Sequence, residues 1–318
     1  MASKQSEAVK AHWAASRAGS QSSVDQEASD HGWAVLTTEP RGVDYLSVEE
    51  LPAVWVVPHG AAADRVLLCL HGGGFISGSM YSHRKMFGHL AKAAGVRALV
   101  VDYRLAPAYT HPAPVDDTTA AYEWLLDQGF AAERIAITGD SVGGALAITT
   151  QLRARERGLP LPAAAMPFSP AVDFEATGTS YDTNRDRDAF FHRDLVRGLA
   201  AMFLGADGDP RDPLVNPLYG DLSALGPIYI QVGGDEVLLD DAHQLAAAAE
   251  KAGVEVRLDV FPDMQHTFQM AAGRAPEADD AIGRMAAWVR PHLGLPDLPD
   301  LPDLGLTDLG LTDLGLTD

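Results

Sequence analysis

A single cysteine, Cys69, leaves no room for an internal disulfide or a cysteine-based metal site. It stands inside the apolar run VLLCL, where a thiol reads as a small buried hydrophobe. Long hydrophobic runs are missing as well, and no stretch reaches the roughly 20 apolar residues that a membrane-spanning helix needs. The opening segment MASKQSEAVKAHWAAS is polar and shows no signal-peptide pattern, so the expectation is a soluble, cytoplasmic protein. Basic residues are scarce: 24 Lys and Arg stand against 44 Asp and Glu, a net charge of −20. Nucleic acid and anionic membranes repel such a surface, which argues against either as a partner. Part of the charge is local, since residues 291–318 hold six Asp and no Lys or Arg.

What is present is enough apolar material, 47% of 318 residues, for one large α/β domain with insertions. Val66–Leu70, Ala98–Val101, Ile135–Ile137, Ala163–Phe168 and Ile228–Val232 are aliphatic without alternation, as strands covered on both faces are. Between them run helical patterns. Asp116 and Asp117 are positioned to cap TTAAYEWLLDQ, which stops at Gly129; Asp240 and Asp241 are positioned to cap AHQLAAAAEKA, which stops at Gly253. Strand–helix repetition of this kind predicts a mostly parallel sheet with helices on both faces. In VEVRLDVF, residues 254–261, apolar and charged residues alternate, which predicts a half-exposed edge strand and makes a homodimer reasonable.

Two regions stand outside the repeat. Residues 1–45 are polar and helix-compatible, and residues 175–215 are rich in Asp, Arg and Gly around AFFHRDLVRGLAAMFLG. Together they are expected to cap one end of a catalytic domain spanning 46–292. Pro291 is expected to end a last helix over PEADDAIGRMAAWVR. Residues 293–318, with repeated LPD and GLTDL units, read as a disordered acidic tail.

The chemistry centres on GDSVGG, residues 139–144. An apolar strand, RIAIT, runs into it and a helical pattern leaves it, the context in which a serine is exposed at a sharp turn as a nucleophile. Ser141 then needs a base, an acid to orient that base, and donors for the oxyanion. Three consecutive glycines follow the strand VLLCL in HGGGF, residues 71–75. Their backbone N–H groups at Gly73 and Gly74, with that of Val142, are the expected oxyanion donors. The carboxylate should follow a later strand, and PIYIQVGGDEVLLDDA supplies Asp235 first, with Glu236, Asp240 and Asp241 as competitors. Of the histidines beyond it, His243 lies in the first turn of a helix and His292 adjoins the helix-ending Pro291. His266, in the loop FPDMQHTF, falls at the nucleophile's end of the sheet. The expected triad is therefore Ser141, Asp235 and His266, and no metal or organic cofactor is required.

With these pieces assembled, the sequence resembles the hormone-sensitive-lipase-like esterases of the α/β-hydrolase fold. The resemblance is carried by HGGGF (71–75), DYRLAP (102–107), GDSVGG (139–144), DPLVNPL (212–218), GGDEVLLDD (233–241) and MQHTF (264–268). It implies the same triad and oxyanion hole, a cap lining the acyl and alcohol pockets, and a structural role for the DYR segment. The sequence departs from the usual pattern at Ala108, at Thr267 and at Val142, whose side chain would narrow the pocket. The run GDLSALGPIYIQVGGDEVLLDDA is most similar to bacterial monoterpene ε-lactone hydrolases, which implies a small ester or lactone as substrate. Two other functions share this scaffold: a non-catalytic small-molecule receptor, and an amide or peptide hydrolase with the same triad.

Overall fold

The computed structural model describes residues 2–19 and 26–297, without the side chains of residues 16–19 and 26–29. Two helices, α1 (Lys4–Gly19) and α2 (Gln26–Ala34), precede an antiparallel strand pair, β1 (Val43–Ser47) and β2 (Ala53–Pro58). Strands and helices then alternate: β3 (Ala62–Leu70), α3 (Met80–Ala94), β4 (Val96–Val101), α4 (Ala113–Asp127), β5 (Ile135–Asp140), α5 (Val142–Glu156) and β6 (Ala164–Phe168). Helices α6 (Ser180–Thr183) and α7 (Arg193–Leu204) interrupt the repeat inside the insertion. It resumes with β7 (Ile228–Gly233), α8 (Leu239–Lys251), β8 (Val256–Phe261) and α9 (Pro276–His292).

The strands form one sheet in the order β1-β2-β4-β3-β5-β6-β7-β8, parallel from β4 to β8. This is the α/β architecture the sequence predicts. The aliphatic runs lack alternation because each face of the sheet meets its own core. Leu68, Leu70 and Ile137 face one core with residues of α4, α5 and α8, while Leu67, Cys69 and Ala136 face the other with α3 and α9. Cys69 is free and buried among them. No helix among the described residues is long and apolar enough to cross a membrane.

Several local expectations are corrected. Helix α4 begins at Ala113, behind Pro112, so Asp116 and Asp117 lie inside it. Asp116 pairs with Arg153 and Arg157, and Asp117 with Arg104. Helix α8 begins at Leu239, and its first-turn carboxylates reach sideways rather than capping. Asp240 accepts from Thr179 and Ser180, and buried Asp241 from the N–H groups of Val172 and Asp173. Pro291 sits within α9, one residue from its end, where a missing N–H interrupts little of the helix. Strand β8 is at the sheet edge as predicted, yet Val260 on it is 40% exposed. The expected acidic tail lies outside the described residues beyond 297. Its first residue, Leu293, is buried and accepts a hydrogen bond from Arg65.

Candidate active site

Strand β5 delivers Ser141 directly into α5. The serine takes φ 56° and ψ −122°, a left-handed backbone that side chains other than glycine adopt only under constraint. The constraint is visible on both sides. Ser141 N–H donates to Phe168 O, and Ser141 O accepts from Gly144 and Ala171. A Cβ at Gly143 would overlap the carbonyls of Leu70 and His71, and one at Gly139 would overlap Gly143, which is why both positions need glycine. Val142 is the first residue of α5, where a helix leaves its N–H groups without internal partners. Its side chain is buried in the core beneath the turn, 3% exposed.

The HGGG loop approaches this turn from β3 and is fixed by several groups. Gly72 N–H donates to the Asp140 carboxylate at 3.0 Å, and Tyr103 Oη donates to His71 O at 2.7 Å. Tyr103 also stacks on the His71 ring with centroids 4.2 Å apart, which gives the DYR segment its structural part. Gly73 O accepts from Ile76, Ser77 N–H and the Ser77 hydroxyl. Gly73 and Gly74 take φ 112° and 65°. No hydrogen bond among the described residues uses either glycine's N–H. Leu199 of α7 packs against Gly74, its methyl carbons 2.9 and 3.0 Å from where a Cβ would stand.

A buried histidine and a buried carboxylate meet beyond β6. His266 Nδ1 is 2.8 Å from Glu236 Oε2, with both side chains buried. His266 Nε2 has no hydrogen-bond partner among the described residues, and Phe191 packs edge-on against the ring at 4.4 Å. The other oxygen of Glu236 accepts from Ser169 Oγ at 2.6 Å and from the Gly233 N–H.

This corrects the expected acid. Asp235 does not touch His266. It points outward to Lys10 of α1 at 3.3 Å, to Arg187 of the insertion, and to Gln265 at 3.2 Å. The turn after β7 decides between the neighbouring carboxylates. Asp235 N–H donates to Met264 O and Glu236 N–H to Gly233 O, which turns the glutamate inward. Glutamate's extra methylene then spans to the imidazole.

Three contributors escaped the sequence reading. Ser169 follows β6 in an unremarkable FSP, and Phe191 sits in an aromatic pair that reads simply as cap. Asp188 is a buried carboxylate accepting from the N–H groups of Phe190, Phe191 and Val237. Burial pushes its carboxyl above the ordinary range. Its one sequence signal is an acid two residues before the aromatic pair, in DAFF.

Comparisons with known proteins bear on the fold and the family. A family model described as alpha/beta hydrolase fold matches residues 67–270. The acetyl-hydrolase of Streptomyces hygroscopicus is 41% identical over 252 residues, 79% of this chain and 83% of that protein. An esterase of Acinetobacter venetianus is 34% identical over 226 residues, 71% of this chain and 75% of its own length. The crystal structure of an esterase from the bacterial hormone-sensitive lipase family superposes with a TM-score of 0.87 at 41% identity, covering 92% of this chain and 100% of that one. Because the family model spans residues 67–270 and both the sequence relatives and the solved structure match most of the chain, it belongs to the hormone-sensitive-lipase-like esterases of the α/β-hydrolase fold.

Proposed function

We propose that the protein hydrolyses carboxylic esters of short acyl chains through Ser141, His266 and Glu236. The observation that carries this reading is the 2.8 Å contact between His266 Nδ1 and Glu236 Oε2, both buried, with Nε2 left free. The carboxylate holds the imidazole with Nδ1 protonated, so Nε2 is the atom that takes the proton of Ser141 Oγ. The alkoxide attacks the ester carbonyl, and its oxygen gathers charge against the N–H groups of Gly73, Gly74 and Val142, each donor worth about 10²–10³ in rate. His266 returns the proton to the departing alcohol. Water then repeats the sequence on the acyl-enzyme.

Large side chains stand near the proposed oxyanion donors, Leu199 against Gly74 and Phe75 stacked at 3.7 Å on Phe203, and this bulk favours short acyl groups. The acetyl-hydrolase and esterase relatives support the same substrate class. An ε-lactone is the cyclic form of this substrate. Its alcohol stays tethered to the acyl group, so water must outrun ring closure. A receptor without catalysis would have no use for a buried acid–base pair behind a strained serine.

Ser141→Ala should abolish turnover of p-nitrophenyl acetate with Tm nearly unchanged. Glu236→Gln should lower kcat by about 10³-fold or more, as loss of the orienting carboxylate does in triads. A Ser141→Ala variant that still turns over sinks the mechanism. A panel of C2 to C12 esters beside ε-caprolactone reads the substrate class, with activity expected to fall beyond C4.

A further inference from the structure

We infer that Ser169 is a positioning residue of the catalytic acid, coupling Glu236 to the base loop through one hydroxyl; this rests on the triad proposed above. Ser169 is fully buried where β6 ends and takes φ 42°, a left-handed backbone disfavoured for serine. Its backbone is held there, with its N–H donating to Gln231 O at 2.7 Å and Pro170 following. That conformation aims Oγ between two elements distant in sequence. On one side is Glu236 Oε1 at 2.6 Å; on the other is the N–H of Thr267, the residue after the base, at 3.1 Å.

The polarity of this contact follows from the groups themselves. The Thr267 N–H can only donate, so the hydroxyl accepts from it and spends its single hydrogen on the carboxylate. Ser169 thereby does two things at once. It pins Oε1, together with the Gly233 N–H, so that Oε2 alone faces Nδ1 of His266. It also fixes the loop that carries His266, from the opposite end of the same hydroxyl. A carboxylate without that donor would turn between its two oxygens and would hold an imidazolium proton more tightly, both unfavourable to a base that must be neutral to start. The other ionisable groups around the pair are Asp188, held by backbone N–H groups, and Asp235, paired with Lys10 and Arg187. Neither bonds Glu236 or His266 through its side chain, so Ser169 is the one side-chain donor to the acid besides the base itself among the described residues.

The test is a double-mutant cycle read with pH profiles. Ser169→Ala removes the hydroxyl and keeps the backbone strain; Ser169→Gly removes both, and so separates the hydroxyl from the conformation. Both variants should lower kcat on p-nitrophenyl acetate by roughly 10- to 100-fold, the range for a hydrogen bond to a charged group, with KM changed less than about twofold. In both, the acidic limb of kcat/KM should move to higher pH. In a Glu236→Gln background, Ser169→Ala should cost almost nothing further, since the group it positions has gone. Unchanged kcat, an unmoved acidic limb, or full additivity with Glu236→Gln would each overturn the inference. If Glu236→Gln itself keeps wild-type turnover, the triad reading fails instead. A lower Tm with an unmoved limb would mark the hydroxyl as structural only.

Discussion

At the scale of single residues, the adjacent carboxylates Asp235 and Glu236 have separate tasks. Glu236 is buried against the base, whereas Asp235 joins α1 to the insertion through Lys10 and Arg187, which are 36% and 52% exposed. Asp235 itself is buried, but both cationic partners lie at the surface, where solvent screens their charge. Asp235→Asn should therefore raise KM by no more than about fivefold, and added salt should reproduce part of that rise in the unmutated protein. Steady-state kinetics across ionic strength checks it; a kcat loss of about 10³-fold would restore Asp235 as the acid. Ser141 and His266, the nucleophile and base of the proposed mechanism, each follow the end of a strand that the sequence shows. The choice between Asp235 and Glu236 was not legible there, because it depends on a turn whose bonds run to Met264 and Gly233. Ser169 was still less visible, since its partners lie 67 and 98 residues away.

Among the elements, the parallel strands were legible from unbroken aliphatic runs. The pair β1 and β2 carries no such signal: AVWVVP ends in proline, and VDYLS is short and mostly exposed. The caps of α4 and α8 were misread because acids at a helix start also serve as partners for arginines and for loop N–H groups, and here those partners were available. The N-terminal helices and the insertion meet by aromatic contact. Trp13 of α1 meets Trp33 of α2 at 4.5 Å and Phe190 of the insertion at 5.4 Å, next to the Phe191 that packs on His266. Trp13→Ala removes the residue common to these contacts. It should raise KM severalfold more than it lowers kcat and should speed proteolytic cleavage near α1, with the sheet intact by circular dichroism. Equal cleavage rates in the two proteins would show that α1 is held by other means.

For the molecule as a whole, a histidine beneath the oxyanion loop sets an acid limit on stability. Burial, and secondarily the charge of His83, pushes His71 down to about 3. Its unfolded counterpart titrates near 6.5, so both states are neutral above that pH and the residue carries no penalty there. Between about 6.5 and 3 the unfolded chain binds a proton that the folded chain refuses. Stability therefore falls with decreasing pH by about 1.4 kcal/mol per pH unit from this residue alone. His71→Gln loses that component. Its deficit in unfolding free energy relative to the unmutated protein should narrow from pH 6.5 downward, measured by urea unfolding at each pH; a constant deficit would contradict the assignment.

The Asp140 carboxylate that receives the Gly72 N–H belongs to the residue immediately before the nucleophile. In the proposed mechanism this bond ties the serine's turn to the loop of the oxyanion donors, so their dipoles are set when the chain folds rather than around each substrate. Such a site has no half-melted state of its own. On heating, the reactivity of Ser141 toward a small sulfonyl fluoride should persist until the sheet itself unfolds, and the two losses should share one midpoint.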